Sequence, residues 1–414
     1  MVSLGPLRHP GFRRLATSYT LNELGWGFGT VALGLVVFDH THSALAMTGL
    51  WICTLLVPAL IGPAATAQLD RLGVRRVLPA LYLAEAAVFA VLALLTSSPV
   101  LILVLVLAAA DGTLALVGRA LTRAAVVATL KPTDELDTGN TLLNVSFSLC
   151  FAIGPAIGGL VIVAWGVSAA LWVSAGLFAA MSITLATSRA LPPAHADAGV
   201  TWLARVRAGI SHALSNVAVR RILFAHAIAL ICAAMISPIE VIWAKDVLGG
   251  ANSAYGIVLS AWGLGTLVTG LALVGVWRRL PVVTRIPLAA GTMAVGYVVM
   301  ALASSVPVGA LGCFIGGLGN GFYFVSLTQA IQERTADEFQ GRVMGLLEST
   351  TAGGYGIGFL LAGAITELFS VRVTFAATAV GVTLATILMA TLLRRPAPAA
   401  ETRSSGKTLA AEPS

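Results

Sequence analysis

Charge is what this sequence has least of. Aspartate, glutamate, lysine and arginine make up 10% of its 414 residues, while 57% are hydrophobic. A water-soluble domain gives about a quarter of its residues to charge, so a soluble globular fold is excluded. Cysteine is also scarce. Cys53, Cys150, Cys232 and Cys313 all fall inside apolar stretches and none has metal-ligand spacing, so they read as small packing residues. No glycine-rich phosphate loop ending in Lys-Ser or Lys-Thr is present, which leaves ATP-driven transport in this chain unsupported. No His-Glu-x-x-His, His-x-x-Glu-His or Gly-x-Ser-x-Gly string occurs, so an enzyme is not expected, and no cofactor or metal. The net charge is +7, yet no basic run is interleaved with stacking aromatics, so no nucleic-acid partner is expected.

Apolar runs fill the chain instead. Twelve stand out, near 14–37, 45–69, 77–96, 99–123, 141–163, 168–188, 221–244, 253–276, 286–304, 307–328, 343–365 and 373–393. A helix needs about 20 such residues to cross the hydrocarbon. The expected fold is an all-α membrane protein with the lipid bilayer as its surroundings. Positive charge collects in every second gap. With the N-terminus in the cytoplasm, all but four of the 25 lysines and arginines are cytoplasmic. Arg119 and Arg123 sit in the inner half of the fourth stretch, and Lys245 and Arg372 fall outside. This bias follows the positive-inside rule and places both termini in the cytoplasm of a multi-pass cell-membrane protein. The first stretch is longer than a signal peptide's apolar region and is expected to be retained.

The longest hydrophilic gap divides six stretches from six. The expected organisation is a six-helix bundle over 1–188, a cytoplasmic linker over 189–220, a second six-helix bundle over 221–394 and a disordered cytoplasmic tail over 395–414. Within the linker, Trp202, Leu203, Val206, Ile210, Leu214 and Val217 recur at helical spacing, the pattern of a helix lying on the membrane surface, with a disordered linker as the alternative. The halves echo each other. Pro132-Thr133-Asp134-Glu135-Leu136 precedes stretch five and Thr335-Ala336-Asp337-Glu338-Phe339 precedes stretch eleven, and Gly154-Pro155-Ala156-Ile157-Gly158 is answered by Gly354-Tyr355-Gly356-Ile357-Gly358. Parallel six-helix repeats of this kind build transporters that rock about a central site.

The gap after stretch two reads Asp70-Arg71-Leu72-Gly73-Val74-Arg75-Arg76. It resembles the second half of the signature loop of the major facilitator superfamily, although Thr66 stands where the family has glycine. The resemblance implies twelve transmembrane helices, as two six-helix pseudo-repeats around a central cavity. It also implies that Asp70, Arg71, Gly73, Arg75 and Arg76 form a cytoplasmic gate; the alternative is a loop whose charges only set topology. The equivalent Trp277-Arg278-Arg279-Leu280 lacks the acid. In stretch five, Gly154, Pro155, Gly158 and Gly159 resemble the core of the family's antiporter signature, which favours export, with Cys150 in place of the upstream glycine. Asp39-His40-Thr41-His42-Ser43-Ala44-Leu45-Ala46, Asp246-Val247-Leu248-Gly249-Gly250 and Gly341-Arg342-Val343-Met344-Gly345-Leu346 resemble the drug-exporter branch with macrolide-efflux and enterobactin-efflux proteins.

Ionisable groups at membrane depth are functional candidates. Glu23 shares a helical face with Tyr19, Asn22 and Trp26. In the resembled fold this helix lines the cavity, so Glu23 is a candidate for proton coupling; a structural hydrogen bond is the alternative. Asp111 is a second coupling candidate, or else a structural partner of Arg119 or of another helix. Glu348 is a candidate to meet the Asp70 loop across the halves. Glu85 is expected to serve helix packing, and His226 to be a satisfied buried histidine. Tyr19, Asn22, Trp26, Asn144, Asn320 and Tyr323 are the candidate cavity residues, with Trp262 as a further flat surface. Trp51, Trp165 and Trp243 lie near stretch ends and read as interfacial anchors.

The function expected is secondary active export of a small amphipathic or lipophilic compound by a monomer, coupled to protons. The alternatives are an importer or facilitator of a polar metabolite, and a non-transporting membrane sensor.

Overall fold

The computed structural model describes residues 4–70, 72–187, 217–269, 280–335 and 337–394. Every regular element among them is helical. A 3₁₀ turn at Gly5–Arg8 leads into α1 (Pro10–Thr41), where proline at the first position supplies a ready-made φ. The helix α2 starts at Ala44, capped by Ser43, whose hydroxyl accepts the Ala46 N–H at 3.3 Å. It runs Ala44–Trp51, widens into a π-helical turn at Ile52–Leu56, and resumes as Val57–Asp70. The loop to α3 (Val74–Leu95) turns at Gly73, whose φ of 85° suits only glycine. Next come α4 (Leu101–Leu130), α5 (Leu136–Trp165) and α6 (Val167–Ala186), the last two hinged on Gly166 at φ 86°. In the second half, α7 (Val217–Ala234) is extended by short turns at Ser237–Ile239, Glu240–Ile242 and Trp243–Val247. It is followed by α8 (Asn252–Val268), α9 (Val282–Leu302), α10 (Val306–Gln332), α11 (Asp337–Leu368) and α12 (Val371–Arg394).

Ten segments among the described residues are long and apolar enough to cross a membrane. The other two apolar stretches are helical as well. α8 is described for the 17 residues Asn252–Val268, next to 270–279, which lie outside the described residues, and the apolar run of α11 is diluted by glycine, serine and threonine. The expected surface helix and the tail also lie outside the described residues, except that 217–220 open α7. A band of large apolar side chains faces outward, including Leu60, Leu94, Ile102, Leu160 and Leu384. Lipid chains satisfy such a surface, and the helices satisfy their own backbone groups.

The packing repeats. In the first half α1 packs on α5 and α6, α3 on α4 and α6, and α2 on α4; in the second, α7 packs on α11 and α12, α9 on α10 and α12, and α8 on α10. Each pair has its counterpart six helices later. The halves meet symmetrically too, α5 against α8 and α2 against α11.

The α5–α8 seam is a backbone contact. A Cβ on Gly256 would lie 2.6 Å from the Pro155 carbonyl oxygen, and one on Gly263 would lie 2.6 Å from the Ala152 Cα. On its other side α5 meets α1, where a Cβ on Gly27 would come within 3.1 Å of the Gly154 backbone. The Gly154, Pro155, Gly158 and Gly159 string therefore sits between α1 and α8. Overpacking costs about 1–3 kcal/mol. Gly256→Leu should lower the thermal-unfolding midpoint of the purified protein in detergent. Gly176→Leu, with nothing within 4 Å of the new Cβ, should leave it unchanged.

Candidate functional site

A cavity of about 450 Å³ lies between the halves, walled by α1, α2, α5 and every helix from α7 to α12. Its surface is largely aromatic and aliphatic. Trp26 stacks on Phe151 with centroids 6.2 Å apart, and Trp262 lies 5.7 Å from Tyr297. Trp51 and Tyr355 both lean on Phe359, at 5.9 and 5.6 Å. Polar groups are few. His226 is held on both sides, with Nδ1 3.1 Å from the Tyr323 hydroxyl and Nε2 3.3 Å from the Thr351 hydroxyl. The Thr351 hydroxyl already donates to the Leu347 carbonyl at 2.8 Å. It therefore accepts from Nε2–H, and in a neutral ring Nδ1 then accepts from the Tyr323 hydroxyl.

Of the expected cavity residues, Trp26, Asn320 and Tyr323 line the wall, and so does Trp262. Three do not. Tyr19 and Asn22 are buried inside the first bundle, where Arg123 donates to the Tyr19 hydroxyl at 3.3 Å. Asn144 sits on an exposed face of α5. The interfacial reading of two tryptophans is also corrected. Trp51 lies immediately before the π-helical turn of α2 and lines the cavity. Trp243 is fully buried, stacked on Phe375 at 4.7 Å in space left by Gly309. Trp165 stands 74% exposed at the end of α5, as an anchor would.

Sequence reasoning missed Glu240. It lines the cavity just past Pro238, 7% exposed. Its signal was an acid within the seventh apolar stretch, the same criterion that singled out Glu23.

Glu23 and Asp111 belong to a different place. Glu23 (α1), Glu85 (α3) and Asp111 (α4) are all buried in the first bundle, and their charges act on one another and on Arg119. Arg119 reaches Glu23 at 3.7 Å, and no Asp111–Arg119 ion pair occurs among the described residues. Both Glu85 oxygens are buried with no hydrogen-bond partner among the described residues. Ser18, Asn22, Tyr82 and Thr122 hold further unpartnered polar atoms; the Tyr82 hydroxyl faces the side chains of Ser18, Asn22 and Thr122 without completing a bond. Asp111 borders a small chamber of about 20 Å³, separate from the cavity but lined in part by Trp26, Thr30 and Trp51, which also line the cavity. One water needs about 10–15 Å³ by such a measure.

At the far end, the Asp39 carboxylate accepts from the Lys245 ammonium, which also lies 5.3 Å from the Phe38 ring. This ties the end of α1 to the turns after α7. Nearby, the Thr48 hydroxyl donates to the Phe359 carbonyl at 3.2 Å, joining α2 to α11. At the opposite end Gly73 makes its turn and Arg75 and Arg76 are exposed. Arg71, and the side chains of Asp70 and Glu348, lie outside the described residues, as does any pairing among them.

Removing one partner of a buried ion pair costs about 3–5 kcal/mol, and less where, as here, Arg119 is 27% exposed. Arg119→Gln should lower the thermal midpoint by more than Glu23→Gln does. Pairing the two substitutions should recover part of the loss, as read in a double-mutant cycle.

A family model described as transmembrane secretion effector matches residues 1–413. The multidrug efflux pump Tap of Mycolicibacterium fortuitum is 28% identical over 369 residues, which is 85% of this chain and 88% of that one. Among solved structures, the nucleoside transporter NupG gives a TM-score of 0.76 at 13% identity, covering 93% of this chain and 99% of its own. A bacterial homologue of the iron transporter ferroportin, in an inward-facing state, gives 0.72 at 14% identity, covering 95% and 100%. At those identities the structural likeness concerns the fold alone. These are transporters rather than enzymes. The chain belongs to the transmembrane secretion effector family of the major facilitator superfamily.

Proposed function

We propose that this chain exports a small amphipathic or lipophilic compound, such as a drug, antibiotic or secondary metabolite, by alternating access and in exchange for protons. The observation that carries this reading is the cavity of about 450 Å³ at the junction of the halves. Pockets that take one drug-sized ligand measure roughly 300–1,000 Å³ and are mostly apolar. The aromatic wall and sparse polar groups suit a lipophilic ligand better than a polar metabolite. The export direction draws on the likeness to Tap, whose name describes a multidrug efflux pump.

Alternating access is supported by where the halves touch. α2 meets the second bundle through its Ala44–Leu56 part, whereas its Val57–Asp70 part packs on α4 and α3. The Asp39–Lys245 pair closes the same end. With both termini in the cytoplasm, this is the outer end, and it must part when the cavity turns outward. The Asp70, Arg71, Arg75 and Arg76 loop would then close the inner end, with Glu348 as its partner across the halves. One chain supplies the whole cavity wall, so a monomer suffices. Proton exchange is assigned to Glu23 and Asp111, the first beside Arg119 and the second beside the small chamber that shares lining residues with the cavity.

Reconstituted in liposomes with an imposed pH gradient, the protein should move lipophilic compounds at a rate that follows the gradient. Flux indifferent to the gradient rules out antiport. Glu23→Gln should abolish gradient-driven accumulation while the protein stays monodisperse, and unchanged coupling would remove Glu23 from the mechanism. Asp39→Asn should slow turnover, and exchanging the two charges by Asp39→Lys with Lys245→Asp should restore it in the same flux assay.

A further inference from the structure

The three carboxyls of the first bundle are enclosed and share Arg119, but Glu240 is in a different situation. It is 93% removed from solvent by its 7% exposure, it borders the cavity, and no hydrogen bond or ion pair to its side chain occurs among the described residues. Its charge acts on Tyr255, Tyr297 and Cys313, none of which is a cation. No lysine or arginine lines the cavity among the described residues. Lys245, five residues on, is occupied by Asp39 and the Phe38 ring. His226 has both ring nitrogens engaged by hydroxyls. Among the described residues the cavity thus has one acidic group and no lysine or arginine to pair with it.

The rings around it fit the same ligand chemistry. Trp26, Trp51, Trp262, Tyr297 and Tyr355 all belong to the wall. Aromatic faces attract organic cations through their quadrupoles, most strongly where water is excluded. A carboxylate buried without a partner is costly, and a ligand that brings the missing cation relieves that cost. The group is a single carboxylate, and no cluster of three or more metal-binding side chains occurs among the described residues. That excludes a bare metal ion as the natural occupant and matches a ligand with one diffuse positive charge.

We infer that Glu240 anchors the positive charge of the transported compound, which makes its preferred substrates amphipathic organic monocations held between this carboxylate and the aromatic wall. The inference rests on reading the cavity as the transport site, and it adds the charge of the substrate and the residue that selects it.

Direct binding tests this apart from transport. The full chain, purified in detergent, is titrated with tetraphenylphosphonium and with neutral triphenylphosphine oxide. The wild-type protein should bind the cation more tightly. Glu240→Gln should weaken cation binding about tenfold or more and change binding of the neutral compound less than about twofold, while Glu240→Asp should keep most of the cation affinity. Should Glu240→Gln fail to fold, Ser237→Lys, one turn away on the same wall, offers a second route. Its ammonium should occupy the carboxylate and block the cation but spare the neutral compound. Equal cation binding by wild type and Glu240→Gln, or by wild type and Ser237→Lys, overturns the inference. So does a wild-type protein that prefers the neutral compound or binds neither. In these cases flux of a neutral compound in liposomes would leave the export reading standing.

Discussion

Two helices reach backbone contact only where side chains make room, and the junction between the halves depends on that condition. Gly256 and Gly263 of α8 lie directly on α5 at Pro155 and Ala152, while Gly27 of α1 lies on the other flank at Gly154. Helix α5 is therefore held against α8 by contacts too short to admit a Cβ, and against α1 by contacts that would be tight for one. The same residues shape the cavity. Pro155 offers its carbonyl to the seam and belongs to the wall, and Phe151, beside the seam, carries the ring on which Trp26 stacks. Motion of one half against the other cannot leave the cavity wall unchanged.

The two bundles share an architecture but divide the chemistry. The first keeps three acids, an arginine and several unpartnered hydroxyls in its interior. The second presents the Tyr323–His226–Thr351 chain and Glu240 to the cavity, and buries Tyr255, Ser260, Arg285 and Thr378 away from it. Buried polar atoms without partners are expensive in any protein. Several of them gather between α1, α3 and α4, around the Glu23–Arg119 pair.

Most of the fold was legible in the sequence, because a bilayer leaves helices as the economical way to cross and demands long apolar runs to do it. The repeat of two halves was legible from two short strings, and the packing pairs repeat accordingly. What escaped was the direction side chains face. Glu85 was expected to serve helix packing, and the face of α3 that carries it turns toward α4 and the charges there. Trp51 and Trp243 looked like anchors because position along a stretch does not reveal a bend or an inward-folding turn. Glu240 was overlooked beside Pro238 at the end of its stretch, where helix is hard to distinguish from loop. Tyr19 and Asn22 were grouped correctly with Glu23 on one face of α1, but Trp26, one turn on, is the member that meets the cavity.

The π-helical turn of α2 bears on how that helix serves two neighbours. Its wide bond runs from the Val57 N–H to the Ile52 carbonyl, five residues back rather than four. One residue of an α-helix spans about 100° of rotation, so the extra residue sets the two parts of α2 out of phase by about that angle. The leading part can direct its stripe at α11, while the trailing part directs its own at α4. Deleting a single residue from Ile52–Leu56 would bring the stripes back into line, and one helix could no longer face both partners.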